Sequence, residues 1–417
     1  MSSAPGTSPT RPTLLALDEA VTRMLARVQP PAPGRGEEIS TFDALHRVLA
    51  ADVHSLLDVP PADNSEMDGY AMRSADVAAA GAVLLVSQRI PAGVVGEPLA
   101  PGTAARIFTG AQIPPGADAV VMQEQCGVVA AGVRVDVVPQ RGQLIRRRGE
   151  DVRRESTVLA AGVRLSPQAL GMAASVGAAT LRVGRRPRVA LFSTGDELAM
   201  PGEALKPGAI YNSNRFTLRG LIEAQNAVCE DLGIVPDRLE ATREALRRAA
   251  EGNDLIVTCG GMSVGEEDHM KPAVEHEGRL DLWQIAIKPG KPLAFGEVFR
   301  GDASSAWFIG LPGNPVSSFV TFLFAVRPVL LKLQGATELA PAPIAMRADF
   351  TWPRPDRRRE FLRVRRNAAG GLDLFANQGS AVLTSTIWAD GLVDNPGGTV
   401  IAPGDVVRYL PFAELLG

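Results

Sequence analysis

Three short apolar runs set the architecture. Residues 188–193 read Arg-Val-Ala-Leu-Phe-Ser, residues 255–259 read Leu-Ile-Val-Thr-Cys, and residues 306–311 read Ala-Trp-Phe-Ile-Gly-Leu. Each has the length and composition of a strand buried on both faces, and each stops at a loop of glycine, proline and polar residues. Helical patterns fall among them. Asn212 or Ser213 can cap a helix carrying Leu218, Leu221 and Ile222, and Asp237 can cap one carrying Leu239, Leu246 and Ala250. Residues 316–333 read as a long apolar helix. Alternation of strand and helix predicts a parallel α/β layer. In such a layer ligands bind outside the carboxyl ends of the strands, so the three loops are expected to share one edge.

The loops are chemically distinct. The first is Thr194-Gly195-Asp196-Glu197. The second opens on Gly260-Gly261, where the chain must bend or let a ligand approach its backbone, and carries Ser263, Glu266, Glu267, Asp268 and Lys271. Carboxylates after a glycine bend suit a hard cation or a polar substrate; an acidic surface loop has the same composition, and the shared edge favours a site. The third is Pro312-Gly313-Asn314-Pro315-Val316-Ser317-Ser318. Asn314 suits a helix N-cap and Pro315 the first helical position. The free N–H groups there, with the Ser317 and Ser318 hydroxyls, would make an anion pocket.

Lysine usage adds to this. Only five of the 43 basic residues are lysines, and Lys271, Lys288 and Lys291 fall in one short stretch. Arginine serves nearly everywhere else, so a compact ammonium is expected to matter in that stretch. In Lys288-Pro289-Gly290-Lys291-Pro292 the prolines would hold both stems. Two upstream segments, 60–70 and 146–151, read singly as a turn and a charged surface segment.

Taken together these motifs carry a resemblance. Asp-Asn-Ser-x-Met-Asp-Gly-Tyr-Ala (63–71), Phe-Thr-Gly-Ala (108–111), Arg-Arg-x-Gly-Glu-Asp (146–151) and Ser-Thr-Gly-Asp-Glu-Leu (193–198) come first. Gly-Gly-Met-Ser-Val-Gly-Glu-x-Asp-x-x-Lys (260–271), Lys-Pro-Gly-Lys-Pro (288–292) and Leu-Pro-Gly-Asn-Pro-Val-Ser (311–317) follow in the same order. The chain resembles the molybdopterin molybdenumtransferases, which include bacterial MoeA and the gephyrin E domain. The resemblance implies molybdenum insertion from molybdate into adenylylated molybdopterin with release of AMP, dependent on magnesium. It implies a catalytic set of Asp68, Glu197, Asp237, Asp268, Lys288 and Lys291, with Glu197 and Asp268 at the metal. Thr109, Asp151, Thr194, Gly195, Gly260, Gly261, Ser263, Lys271, Pro312, Gly313, Asn314, Pro315 and Ser317 would bind the pterin nucleotide. Ala62 and Glu66 depart from the family's usual bulky and small residues, and Glu66 adds a charge two residues from Asp68. Related readings are a tungsten-inserting paralogue, the preceding molybdopterin adenylyltransferase and a gephyrin-like scaffold. The segments flanking the α/β unit disfavour the adenylyltransferase, and the intact acidic and lysine motifs disfavour the scaffold.

The expected fold is multidomain α/β. Residues 1–12 form a Ser/Pro/Thr-rich tail, 13–60 and 142–185 a split elongated domain with helices near 14–28 and 166–177, and 61–141 a β-rich insertion. Residues 186–334 form the α/β molybdopterin-binding domain and 335–417 a small β-barrel. The resemblance implies a homodimer with shared sites. A formal net charge of −3 without a basic stripe argues against nucleic acid. Cys126, Cys229 and Cys259 lack metal or disulfide spacing, which fits a reducing cytoplasm. The helix at 316–333 contains Arg327 and Pro328 and is read as a core helix, so no membrane is expected.

Overall fold

A computed structural model describes residues 14–32, 36–261 and 269–416; the side chains of residues 282 and 283 are also outside the description. The tail at 1–12 lies outside the described residues.

The centre is a six-stranded sheet in the order Val228–Val235, Arg188–Thr194, Leu255–Cys259, Ser305–Leu311, Pro292–Phe299 and Gly278–Gln284. The first four strands are parallel. The last two run antiparallel to their neighbours, so the expected parallel layer is a mixed one. Both faces are covered, which is why these strands read as continuous apolar runs. Side chains alternate between two cores. Val189, Leu191, Leu255, Val257, Ile309 and Leu311 face one; Ala190, Phe192, Ile256 and Phe308 face the other.

Helices cover the two faces. Ser213–Ala224 and the 315–334 helix bury Leu218, Leu221, Ile222, Val316, Val320 and Leu330 in the first core. The N-terminal helix Leu17–Arg27 adds Leu17, Ala20 and Met24 to that core. It opens the split segment in sequence yet packs as part of the α/β layer. Leu239–Ala250 and Met270–Glu277 cover the second core. The 315–334 helix is long and apolar enough to cross a membrane, but 83% of its apolar window is buried inside the protein. It is not a uniform α-helix. Pro328 lacks an N–H and crowds the carbonyl four residues back, and the helix widens into a π turn at Phe322–Val326 just before it.

Segments before and after the insertion pair antiparallel. Glu37–Ser40 joins Thr180–Val183, Val53–His54 joins Thr157–Leu159, and Asn64–Ser65 joins Ile145–Arg146. Ser166 caps helix Pro167–Ser175 by accepting from the Ala169 N–H at 3.2 Å. Between these halves lies a second six-stranded sheet, built from strands between Gly69 and Val135. The C-terminal segment runs Ile344–Arg347, Val406–Pro411, Gly391–Asn395, Arg359–Arg366 and Leu372–Leu374 in spatial order. A bridge between Ala348 and Leu372 closes that path into a small barrel, around Leu362, Val364, Val393 and Tyr409.

Candidate active site

Register brings the three motif loops to one level. Ser193 pairs with Cys259, and Cys259 with Leu311, so the chain leaves three neighbouring strands side by side. The loops also touch. Gly260 has φ +96°, and a Cβ there would lie 2.4 Å from the Thr194 carbonyl oxygen. A Cβ on Gly313 would meet the Gly260 Cα at 3.9 Å. Glycine is thus required where the second loop crosses the first.

The lysine loop reaches the same edge because Pro292–Phe299 is antiparallel to Ser305–Leu311, which puts its beginning at their carboxyl ends. Lys291 is exposed and has no ion-pair partner among the described residues. Lys288 is different. Ile287–Lys288 pairs with Arg359 and Glu360 of the barrel, and the Lys288 ammonium lies 3.1 Å from Glu360 Oε1 and 3.8 Å from Asp356 Oδ2. Glu360 is 1% exposed and also accepts from Trp352 Nε1 at 2.7 Å. Lys288 lines the cleft, but its charge is met by the barrel, which alters the expectation of two equivalent anion-binding lysines.

The loops enclose a cleft of about 950 Å³. Of the residues singled out in the sequence, Thr194, Gly195, Glu197, Asp237, Gly260, Gly261, Lys288, Lys291, Pro312, Gly313, Asn314, Pro315 and Ser317 line it. Ser193, Thr194 and Asn212 each contribute a buried polar atom with no hydrogen-bond partner: Ser193 Oγ, Thr194 Oγ1 and Asn212 Nδ2. Buried polar groups are normally satisfied, and these three belong to residues that line the cleft.

Of the two expected candidates, Asn212 caps its helix, accepting from the Arg215 N–H at 3.1 Å. Capping differs from expectation at two other places. Asp237 is not the N-cap: the next helix begins at Leu239 after Arg238, with no side-chain cap. The Asp237 N–H instead donates to Asp196 Oδ1 at 3.2 Å, so the capping explanation of Asp237 falls away. Asn314 sits at the cap position without a side-chain cap bond. The expected anion pocket is also narrower. The Ser318 hydroxyl turns back to the Pro312 carbonyl, and the Val316 N–H donates to the Ser380 carbonyl at 2.9 Å.

That last bond marks what sequence reasoning missed. Arg358, Gln378, Gly379, Ser380 and Ala381, all from the barrel, form a wall of the cleft. Arg363 braces this wall. It is buried, its N–H donates to Gln378 Oε1 at 2.9 Å, and its guanidinium donates to the Gly379 carbonyl at 3.1 Å. Burial pushes Arg363 down to about 10. The polar run 377–380 was the available signal, but nothing local tied it to a sheet edge far away in sequence.

Four expected residues lie apart from the cleft lining. Asp68 and Thr109 form a pair on the inserted sheet. Asp68 Oδ1 accepts from the Thr109 N–H and from Thr109 Oγ1, both at 2.8 Å, and these bonds hold its carboxyl below the usual range. Asp151 is exposed at the end of a turn whose arginines bind elsewhere, Arg147 to Asp63 at 2.7 Å and Arg148 to Asp58 at 2.6 Å. Lys271 lies 3.9 Å from Glu275 on helix Met270–Glu277. Ser263 and Asp268 lie outside the described residues, as do Glu266 and Glu267. Glu66, whose N–H donates to the Leu144 carbonyl at 3.0 Å, is partly buried beside the Asp68 turn.

The fold and cleft define a class: an α/β layer with a ligand cleft at its strand ends, flanked by N- and C-terminal units. Residues 15–177 match the family model of the MoeA N-terminal region (domain I and II). Residues 190–332 match a probable molybdopterin binding domain, and 345–412 match the MoeA C-terminal region (domain IV). The molybdopterin molybdenumtransferase of Haemophilus influenzae is 37% identical over 97% of this chain and 100% of its own. That of Bacillus subtilis is 33% identical over 93% and 91%. A crystal structure of the molybdopterin biosynthesis MoeA protein of Pyrococcus horikoshii covers 96% of this chain and 100% of its own, at 28% identity and a TM-score of 0.81. The chain belongs to the molybdopterin molybdenumtransferase family, transferases of molybdenum cofactor biosynthesis.

Proposed function

We propose that the cleft moves molybdenum from molybdate onto the dithiolene of adenylylated molybdopterin and releases AMP. The observation that carries this is the division of charge along the sheet edge. Glu197 and Asp237 follow the second and first strands in spatial order, and Lys291 precedes the fifth. Three strand spacings separate the Arg188–Thr194 strand from the Pro292–Phe299 strand, about 14 Å at ~4.8 Å each. An extended pterin nucleotide spans such a distance, with its anhydride toward the carboxylates and an oxyanion toward Lys291 and Arg358.

Magnesium takes one or two carboxylates and keeps water or phosphate oxygens for the rest of its shell. The donors fit that habit. Glu197 and Asp237 line the cleft, and no group of three or more His, Cys, Asp or Glu gathers among the described residues. Glu197 and Asp237, with Asp268 by family resemblance, would hold the ion, which when bound supplies positive charge to the phosphoanhydride. Ser193, Thr194 and Asn212 donate to or accept from the ligand where they now lack partners.

Asp68 and Thr109 complete a cleft in a second copy of the chain. They are paired to each other and line no part of their own cleft. A two-fold dimer gives two equivalent composite sites. Its interface covers Phe42, Leu45, Leu56 and Leu57, large apolar side chains exposed on the split segment. A cytoplasmic molybdopterin adenylyltransferase supplies the substrate. The test is AMP release from adenylylated molybdopterin with and without magnesium, and again after mixing Asp68→Ala with Glu197→Ala chains. Chelation is expected to stop release, and the mixed dimers to recover part of it. Release indifferent to chelation, or no recovery in verified heterodimers, contradicts the metal or the shared-site reading respectively.

A further inference from the structure

We infer that Asn214 is a positioning residue, which fixes the peptide planes of the 312–314 turn so that its backbone N–H groups form a hole for a phosphate-class oxyanion. This rests on the reading of the cleft as a site for a phosphate-bearing substrate.

Asn214 stands in the first turn of helix Ser213–Ala224. Its Nδ2 donates to the Gly313 carbonyl at 2.6 Å and to Cys259 Sγ at 3.1 Å, using both amide hydrogens. The Cys259 thiol donates onward to the Pro312 carbonyl at 3.2 Å, and the buried Ser318 hydroxyl donates to the same oxygen. Two consecutive carbonyls are therefore tied down, Gly313 by Asn214 and Pro312 by Cys259 and Ser318. Burial pushes the Cys259 thiol up, so it keeps the proton that this chain of bonds needs.

A trans peptide is planar, with its N–H opposed to its C=O. Pinning the Pro312 oxygen toward buried Cys259 and Ser318 directs the Gly313 N–H away from those two side chains, and Gly313 itself lines the cleft. Pinning the Gly313 oxygen to Asn214 fixes the plane that carries the Asn314 N–H. Neither N–H has an acceptor among the described residues. A separate observation points to a ligand here: Ser193 Oγ, Thr194 Oγ1 and Asn212 Nδ2 are buried on the same cleft without partners. Preorganised N–H donors aimed at an anion cost no reorganisation on binding.

Asn214 lies in the first helical turn, yet among the described residues its side chain bonds nothing within its own helix and reaches instead to Cys259 and the 312–314 turn. An aspartate of the same shape would set a carboxylate against the Gly313 carbonyl and leave that plane unheld.

The experiment titrates inorganic pyrophosphate into the full-length protein by calorimetry, with no turnover required, and records melting temperature alongside. Asn214→Ala and the isosteric Asn214→Asp are expected to weaken pyrophosphate by about tenfold or more, the effect of misaligned hydrogen bonds to a charged ligand, with melting within the range of ordinary surface variants. Parent affinity in a folded Asn214→Asp protein overturns the inference, as does failure of the unaltered protein to bind pyrophosphate. If pyrophosphate binds and depends on Asn214 while no AMP is released, the proposed reaction fails and the positioning role stands.

Discussion

Gly260→Ala is the substitution whose effect the structure fixes most closely. The backbone sits at φ +96°, where a side chain adds strain of about 1–3 kcal/mol. The new Cβ would also lie 2.4 Å from the Thr194 oxygen, against 3.4 Å for the near edge of ordinary contact, so the two loops must part by about 1 Å. Strain alone lowers the melting temperature of a layer this size by roughly 2–12 °C, taking ~2–4 °C per kcal/mol. Loop separation acts on catalysis, where a 1 Å misplacement can cost about 10²-fold. Gly81→Ala separates the two effects: its φ is +91°, and nothing lies within 4 Å of the added carbon. Gly81→Ala is expected to lose melting temperature and keep its rate of AMP release; Gly260→Ala is expected to lose both. Wild-type turnover in Gly260→Ala would refute the claim that contact between the Thr194 and Gly260 loops sets the cleft.

The two cleft lysines are expected to part company. Lys288→Met strands a Glu360 carboxylate that is 1% exposed and should lower unfolding free energy by about 1–3 kcal/mol in urea titrations, less than a fully buried pair because Lys288 is partly exposed. Lys291→Met should leave stability within ~0.5 kcal/mol while raising the KM for molybdate. Thr109→Val removes one of the two donors to Asp68 Oδ1, so the Asp68 titration followed by NMR should move up toward the ordinary carboxylate value. Asp349 is held at about 2, chiefly by Arg347 and then by Asn367. Its folded value is depressed, so its contribution to stability is present above the ordinary carboxylate pKa of ~3.9 and is lost as pH falls toward about 2. Acid unfolding of Asp349→Asn should be flatter than that of the parent across this window, and identical slopes would remove Asp349 from the account.

Much of the central layer could be read from the chain because its signals are local. Leu255–Cys259 is buried at all five positions because both faces are covered, and Asn212 caps its helix through a bond three residues long. Strand-end placement of Glu197 and the glycine pair followed from the same pattern. The antiparallel direction of Pro292–Phe299 was not legible, since an apolar run carries no direction; yet that reversal delivers Lys291 to the cleft. The barrel wall at 378–381 and the Lys288–Glu360 pair depend on contacts between residues more than sixty positions apart, which periodicity does not record. Asp237 shows the opposite failure. Its spacing suited a cap, but the chain starts the helix two residues later, and the residue lines the cleft. Asn214 was hidden for a related reason: its partners lie at the end of another strand and in another loop.

The most direct test combines purified protein, adenylylated molybdopterin and molybdate, and counts AMP released against molybdenum bound to the pterin. A ratio near one, lost in Glu197→Gln, is the expected result. Release of AMP without molybdenum on the pterin, or equal turnover in Glu197→Gln, would contradict the assignment of this cleft to molybdenum insertion.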